Sequence, residues 1–408
     1  TDLRTVGKEL GVQAVLNGRV VQRGDVLILS LELIDSTTEN VIWSEQYNRK
    51  QADLVALQSE IARDVANKLA AKLTGEQTAQ IAKSYTQNPE AYKLYLQGRF
   101  FWNKRKPEQL AKAIQYFEQA IALDPNYALA YSGIADCYAV DSSPIHGAEQ
   151  NTKLQIAADK AIELDKTLGQ PHAALANMYW DKLDWGKAEN EYKTAIELAP
   201  DSPSAHQWYG EMLTRMGRHD EAIASIKKAR ELDPLSVVIN SDMIYMLAMA
   251  RRYDEGIDQG RRTLELDNTW TTAHAHLSVI YQFKGDYEKS LDEEEKTLEN
   301  TDLPGEKTAA AKLELAKLKE AFRKSGPDGL WRTRLEIEKQ HQVKNDGFAP
   351  SFMAEIYTYL GNKDEAFKWI SMSIDKGGSG LLKVWPSLDP LRDDPRYEAS
   401  LKRLNLAK

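Results

Sequence analysis

The chain has 408 residues, of which 42% are hydrophobic and 28% charged, a balance typical of a globular protein and not of a disordered one. Its net charge of −8 argues against nucleic acid as a partner, because binding phosphates requires an excess of Lys and Arg. The single cysteine, Cys137, excludes an intrachain disulfide or a cysteine-rich zinc site, and no apolar run approaches the roughly 20 residues of a membrane helix.

The first part of the chain predicts a small α/β domain over residues 1–75. A short helix, "LRTVGKEL", is followed by "VQAVLNGRVVQ", "DVLILSLELID" and "VIWSEQYNR", which predict an antiparallel meander of three strands. In the second strand, leucines at 27, 29, 31 and 33 recur with period two, which indicates one face on a core. "DLVALQSEIARDVANKLAAKL" predicts an amphipathic helix, and residues 76–90 form a connector.

From residue 170 onward one pattern recurs every 34 residues, which indicates an internal repeat. One slot is always small, and it is filled by Ala188, Ala222, Gly256 and Ser290. Another slot is always large and apolar, and it is filled by Tyr179, Leu213, Leu247 and Tyr281. Small residues let two helix axes approach while large ones fill the grooves between them, so each repeat predicts two antiparallel helices.

The repeat resembles the tetratricopeptide repeat (TPR), which "SAHQWYGEMLTRMGRHDEAIASIKKARELDP" carries most fully. A regular array is predicted over residues 91–302 and degenerate units over 303–380, followed by an extended clip and a capping helix over 381–408. The expected fold is therefore mainly α: an α-α superhelix of seven or eight TPR-like helix pairs, preceded by the small α/β domain.

A wider resemblance covers essentially the whole chain. "LGVQAVLNGRV" and "LELIDSTTENVIWSEQYNR" resemble the amino-terminal domains of TolB- and FlgO-type proteins. "YTQNPEAYKLYLQGRFFWNKR" and "VWPSLDPLRDDPRYEASLKRL" resemble the C-terminal halves of bacterial serine/threonine protein kinases, and similar halves follow adenylate cyclase and winged-helix domains. The resemblance implies a regulatory or sensor half of a longer signalling protein. It also implies an extracytoplasmic (periplasmic) location behind a membrane helix, with a cytoplasmic one as the alternative.

The sequence lacks the motifs of an enzyme. It has no glycine-rich phosphate loop, His-Arg-Asp loop or Asp-Phe-Gly of a kinase, no Walker motif and no serine elbow, so we expect no catalysis by this chain. His172, His206 and His274 share one slot of the repeat. Equivalent positions on stacked helices lie roughly 8–10 Å apart, too far for one metal ion, so these histidines are interpreted as scaffold. No metal or cofactor is predicted.

In tetratricopeptide arrays the partner-binding face is formed by the first helices, at residues between the packing slots. The resemblance places there a mixture of aromatic and polar residues suited to a protein or peptide segment: Arg99, Trp102, Asp136, Asn177, Trp180, Asp181, Gln207, Glu211, Arg215, Tyr245, Met249, Gln282 and Phe283. Two alternatives stay open. One is a small-ligand sensor at the junction of the α/β domain and the array, and the other is self-association through exposed repeat ends.

Overall fold

The structure is a computed structural model that describes residues 7, 12–50, 57, 60–61, 64–65, 85–140, 148–301, 304–344, 349–378 and 380–407. The chain divides into two compact units, residues 1–178 and 179–408. The part of the predicted connector before residue 85 and most of the two predicted helices of the α/β domain, "LRTVGKEL" and "DLVALQSEIARDVANKLAAKL", lie outside the described residues.

Unit 1 begins with a three-stranded antiparallel sheet in the order β1-β2-β3, as the period-two pattern predicts. The strands are β1 (Ala14–Arg23), β2 (Val26–Asp35) and β3 (Val41–Lys50). Gly24 has φ 64°, the left-handed conformation that the tight β1–β2 turn requires. Leu31 and Tyr47 pack with Leu57, so one sheet face is buried. The predicted meander is confirmed.

The rest of unit 1 is helical: α1 (Pro89–Trp102), α2 (Pro107–Leu123), α3 (Ala128–Val140), α4 (Ala148–Leu164) and most of α5 (Gln170–Asp181). The fully buried ring of Phe117 on α2 lies between two glycines. An ideal Cβ on Gly98 of α1 would stand 2.4 Å from that ring, and one on Gly133 of α3 would stand 2.6 Å from it. The phenylalanine therefore fills space that exists because both neighbours lack side chains.

Unit 2 continues with antiparallel helix pairs that follow the 34-residue period. They are α6 (Trp185–Leu198), α7 (Pro203–Arg215), α8 (His219–Leu232), α9 (Val237–Met249), α10 (Tyr253–Leu266), α11 (Thr271–Phe283) and α12 (Tyr287–Glu299). The first helix of each pair ends in a residue with positive φ, and four of these stand 34 residues apart: Leu183, Gly217, Arg251 and Gly285. Such a residue stops a helix by turning the chain back on itself.

The degenerate part of the array is also helical. The long element α13 (Gly305–Lys344) contains Gly326 with φ 61° and ψ −151°, which is not a helical conformation, so two helices meet there. They are followed by α14 (Pro350–Tyr359), α15 (Lys363–Asp375), a 3₁₀ helix (Pro386–Leu391) and α16 (Pro395–Arg403). Asp394 accepts a hydrogen bond from the Arg396 amide at 3.0 Å and caps α16.

The predicted fold class is confirmed: the chain is mainly α, with TPR-like helix pairs behind a small sheet. In the part of the chain that the structure describes, no helix is both long and apolar enough to span a membrane. The predicted domain boundaries stay predictions.

Candidate functional site

Three of the four predicted binding residues of unit 1 form a closed cluster. The Arg99 guanidinium donates to the Asp136 carboxylate at 3.0 Å and lies 4.0 Å above the Trp102 ring. Arg105 covers the same ring at 3.6 Å, so a tryptophan only 3% exposed is enclosed by two cations. Asn177 is also buried, at 8% exposure. Of this predicted set, Arg99 is the residue that still reaches solvent, with 28% of its side chain exposed.

Asp136 is expected to make the stability of the chain depend on pH. Burial raises the pKa of its carboxyl to about 6, against the opposing effect of Arg99 and Arg105. Between pH about 4 and 6 the folded state therefore holds a proton that the unfolded state has released, so this contribution falls as pH rises. Relative to the wild type, Asp136→Asn should become more stable as pH rises through this window. Urea unfolding at pH 4, 5, 6 and 7 measures the difference, and a difference that is constant with pH would contradict the assignment.

In unit 2 the face formed by the first helices is covered by a later segment of the same chain, which folds back over it. We call residues 380–391 the strap. Val384 of the strap is 2% exposed and lies in a core cluster with Ile244 and Met249 of α9 and Leu277 of α11. Met249, a predicted groove residue, is therefore a fully buried core residue and its side chain cannot contact a partner.

The strap is also anchored by aromatic and polar contacts. Trp385 packs edge-on against Phe283, with ring centroids 5.4 Å apart. The Tyr397 hydroxyl donates to the Leu382 carbonyl at 2.6 Å. Farther along, the Trp185 indole donates to the Leu404 carbonyl at 2.9 Å. The extended clip predicted for the tail thus rests on the face that the sequence assigned to a partner.

Arg251 ties the strap to the repeat turn. Arg251 has φ 60°, a left-handed conformation that costs a residue with a side chain about 1 kcal/mol. Two of the equivalent turns have glycine at this position, Gly217 and Gly285. The Arg251 guanidinium donates to both oxygens of Asp389, at 2.6 and 2.8 Å. Since the pair is more than a third exposed, it contributes at most about 1 kcal/mol.

Arg251→Gly should therefore loosen the strap around Asp389 while leaving global stability within about 1 kcal/mol, because Val384 and Trp385 still hold the strap and relief of the backbone strain offsets the lost ion pair. Hydrogen exchange is expected to accelerate in residues 380–391. The neighbouring Arg252→Ala, which breaks only an intrahelical pair with Glu255, is the matched control. Equal strap exchange in the two variants would show that Arg251 is not an anchor.

Some of the remaining predicted residues of unit 2 make contacts within the chain, and others line small cavities. Gln207 and Gln282 are buried, and their amides donate to the carboxylates of Asp242 and Glu355. Tyr245 packs against His276 with ring centroids 5.6 Å apart, and burial raises its pKa to about 12.

Three more predicted residues, Trp180, Asp181 and Arg215, line a cavity of unit 2. Arg215 stacks 4.7 Å above the Trp180 ring, and the cavity has a volume of about 250 Å³. Glu211 is partly buried on α7.

A larger open space lies among the helices of unit 2. We call it the acidic pocket: a cavity of about 420 Å³ enclosed by α11, α12, both halves of α13, α14 and the strap. Its apolar wall includes Val279, Leu315, Phe352 and Trp385. Its polar lining is formed by Ser278, Gln282, Glu294, Thr297, Glu314, Arg334, Glu338, His341 and Glu355. The volume lies in the range of pockets that bind small molecules, while the lining is more highly charged than is usual for them.

The charged groups of the acidic pocket are only partly paired. The Arg334 guanidinium donates to Glu294 through Nη2, but its buried Nε finds no acceptor among the described residues. The His341 ring lies 3.1 Å from Glu314 and 3.6 Å from Glu338, and a neutral ring can donate to only one of them. Burial raises the pKa of the Glu338 and Glu355 carboxyls.

The repeat position shared by the predicted scaffold histidines has a structural role. His206, Asn240 and His274 occupy it, and each side chain donates to the main-chain carbonyl six residues earlier, at 3.0, 2.9 and 3.2 Å. Each therefore satisfies a carbonyl of the turn between repeats, which the helix leaves without an internal donor. Within the described ranges, no three His, Cys, Asp or Glu side chains form a group that could hold a metal ion.

Sequence reasoning missed the strap contacts and most of the acidic pocket, because Glu338, His341 and Glu355 lie where the repeat signal fades. Two signals were available. The run "KGGSG" before the strap is too rich in glycine for another helix pair and indicates a reversal of the chain. Glu355 adjoins Ala354 within an apolar helix, which indicates a buried carboxylate.

Comparison with known proteins supports the repeat assignment. The tetratricopeptide-repeat family matches residues 95–127 and 173–237, so the chain contains these repeats. "Putative adenylate cyclase 3" of Rhizobium meliloti (strain 1021) is 30% identical over 178 residues, which are 43% of this chain and 30% of that protein. The transcriptional regulator HilA of Salmonella typhimurium is 22% identical over 235 residues, which are 57% of this chain and 42% of that protein.

Among solved structures, that of YrrB, described as a TPR protein with an unusual peptide-binding site, is similar at 20% identity and a TM-score of 0.33. It covers 48% of this chain and 97% of YrrB. This chain spans less than half the length of the two curated relatives above. TPR repeats are typical of protein-interaction scaffolds, and that is the level of function the repeats themselves indicate.

Proposed function

We propose that this chain is a non-catalytic interaction region of a bacterial signalling protein, and that the first-helix face of unit 2 binds an extended segment of a partner protein. The strap is the observation that carries this proposal. The face accommodates the strap through an aliphatic side chain in a core cluster and an edge-on tryptophan, and the Arg251–Asp389 ion pair adds a third contact. The acidic pocket beside Trp385 is the space left for a second segment.

The regulatory role draws support from the two relatives, one named as an adenylate cyclase and one as a transcriptional regulator. A serine/threonine kinase, a cyclase or a winged-helix domain are the outputs we propose for the longer protein. We further propose an extracytoplasmic location. Alkaline phosphatase fused behind residue 407 of the full gene product would be active in that case, and inactive if the chain is cytoplasmic.

A random-sequence peptide library displayed on phage tests the binding function on the purified chain. We expect enrichment of peptides that bind the wild type and lose at least about tenfold in affinity for Ala275→Trp, because an indole at this partly buried lining position would fill the pocket. Ala309→Trp places the same side chain at an exposed position of α13 and is the matched control.

The proposal fails if the library yields no binder, or if the binders tolerate both tryptophans equally. Circular dichroism of the two variants checks that a loss of binding does not reflect a loss of folding.

A further inference from the structure

The acidic pocket carries an excess of negative charge for a partly enclosed space. Its described lining contains four carboxylates, those of Glu294, Glu314, Glu338 and Glu355, against one guanidinium and one imidazole. With all four ionised and the imidazole protonated, two formal negative charges have no partner cation within that described lining. Burial raises the pKa of Glu338 and Glu355, and an approaching cation would favour their ionised form. Removing such charges from water is costly unless an opposite charge approaches them, so the pocket is complementary to a cation.

The apolar walls of the pocket indicate that the cation is carried on an apolar stem. Phe352 and Trp385 offer aromatic surface, and Val279 and Leu315 offer aliphatic surface on which a methylene stem can pack. The buried Nε–H of Arg334, whose side chain is 11% exposed, has no acceptor among the described residues. If the Arg334 side chain rotates to expose this N–H, a main-chain carbonyl of a bound segment would supply the acceptor, which favours a peptide over a free amine.

We propose that the acidic pocket receives the lysine or arginine side chain of an extended partner segment. The charged head lies among the carboxylates, the stem packs on the apolar wall, and a carbonyl of the segment accepts from Arg334. The inference rests on the proposed function and adds to it the chemistry of the partner.

The test uses the peptides selected on the full chain. We expect them to share a Lys or Arg with apolar neighbours, and replacement of that residue by Gln to weaken binding at least about tenfold. The double variant Glu314→Gln/Glu338→Gln should weaken the parent peptide by a similar factor. Glu306→Gln/Glu336→Gln removes the same charge from exposed positions of the same helix pair and should leave binding unchanged.

The outcomes separate this inference from the proposed function. Peptides that bind but lack a common basic residue, or that bind the Glu314/Glu338 variant as tightly as the wild type, overturn the inference and leave the binding function standing. A library that yields no binder overturns both. Glutamine at these positions removes repulsion between carboxylates, so a fall in the melting temperature of the double variant is not expected.

Discussion

Val384→Asp is expected to lower the free energy of unfolding of unit 2 by more than about 3 kcal/mol, because it places a carboxylate in an apolar core. Val384 is 2% exposed and packs with Ile244, Met249 and Leu277 from two first helices. The residues packed around Val384 are apolar, so the new carboxylate must stay in an apolar environment or drive the strap out. Either outcome removes the contacts that the strap supplies to α9 and α11.

Urea unfolding followed by circular dichroism measures the change, and hydrogen exchange locates it. Exchange should accelerate in residues 237–283 as well as in the strap. Val343→Asp is the control, since Val343 is 87% exposed and the same substitution there should shift stability by less than about 0.5 kcal/mol. Equal effects of the two substitutions would show that the strap is not part of the core.

Phe117→Ala is expected to destabilise unit 1 by about 3–5 kcal/mol, because it empties a closely packed site. The ring is fully buried and lies between the backbones of Gly98 and Gly133, with the Tyr95 ring 5.7 Å away. Two glycines cannot move side chains into the space, so the cavity left by the ring collapses only in part.

Thermal unfolding and hydrogen exchange in α1, α2 and α3 measure this effect. Phe100→Ala is the matched control, because Phe100 is 57% exposed on the neighbouring helix. If Phe100→Ala lowers the melting temperature as much as Phe117→Ala does, the two-glycine site is not the packing centre of this repeat.

The helix pairs were predictable because each repeat uses the same few slots. Residues such as Ala188, Ala222 and Leu213 are buried where the 34-residue period places them. The break at Gly326 and the cap at Asp394 were also predictable, since each follows from local backbone chemistry within a few residues.

The covering of the predicted groove by the strap could not be predicted from the repeat pattern. The slots place Met249 and Phe283 on the binding face, but the segment that covers them comes from residues 380–391, far later in the chain. A periodic pattern describes contacts between neighbouring repeats and contains no information on such a long-range return of the chain. The acidic pocket was missed for the same reason, because residues from α11 to the strap converge there.

Hydrogen exchange of the full chain with and without a selected peptide tests the central claim most directly, that a partner segment binds beside the strap on the first-helix face of unit 2. We predict slower exchange in α11, in the second half of α13 and in α14, the helices that line the acidic pocket. Protection confined to unit 1, or absent from these three helices, would contradict the claim.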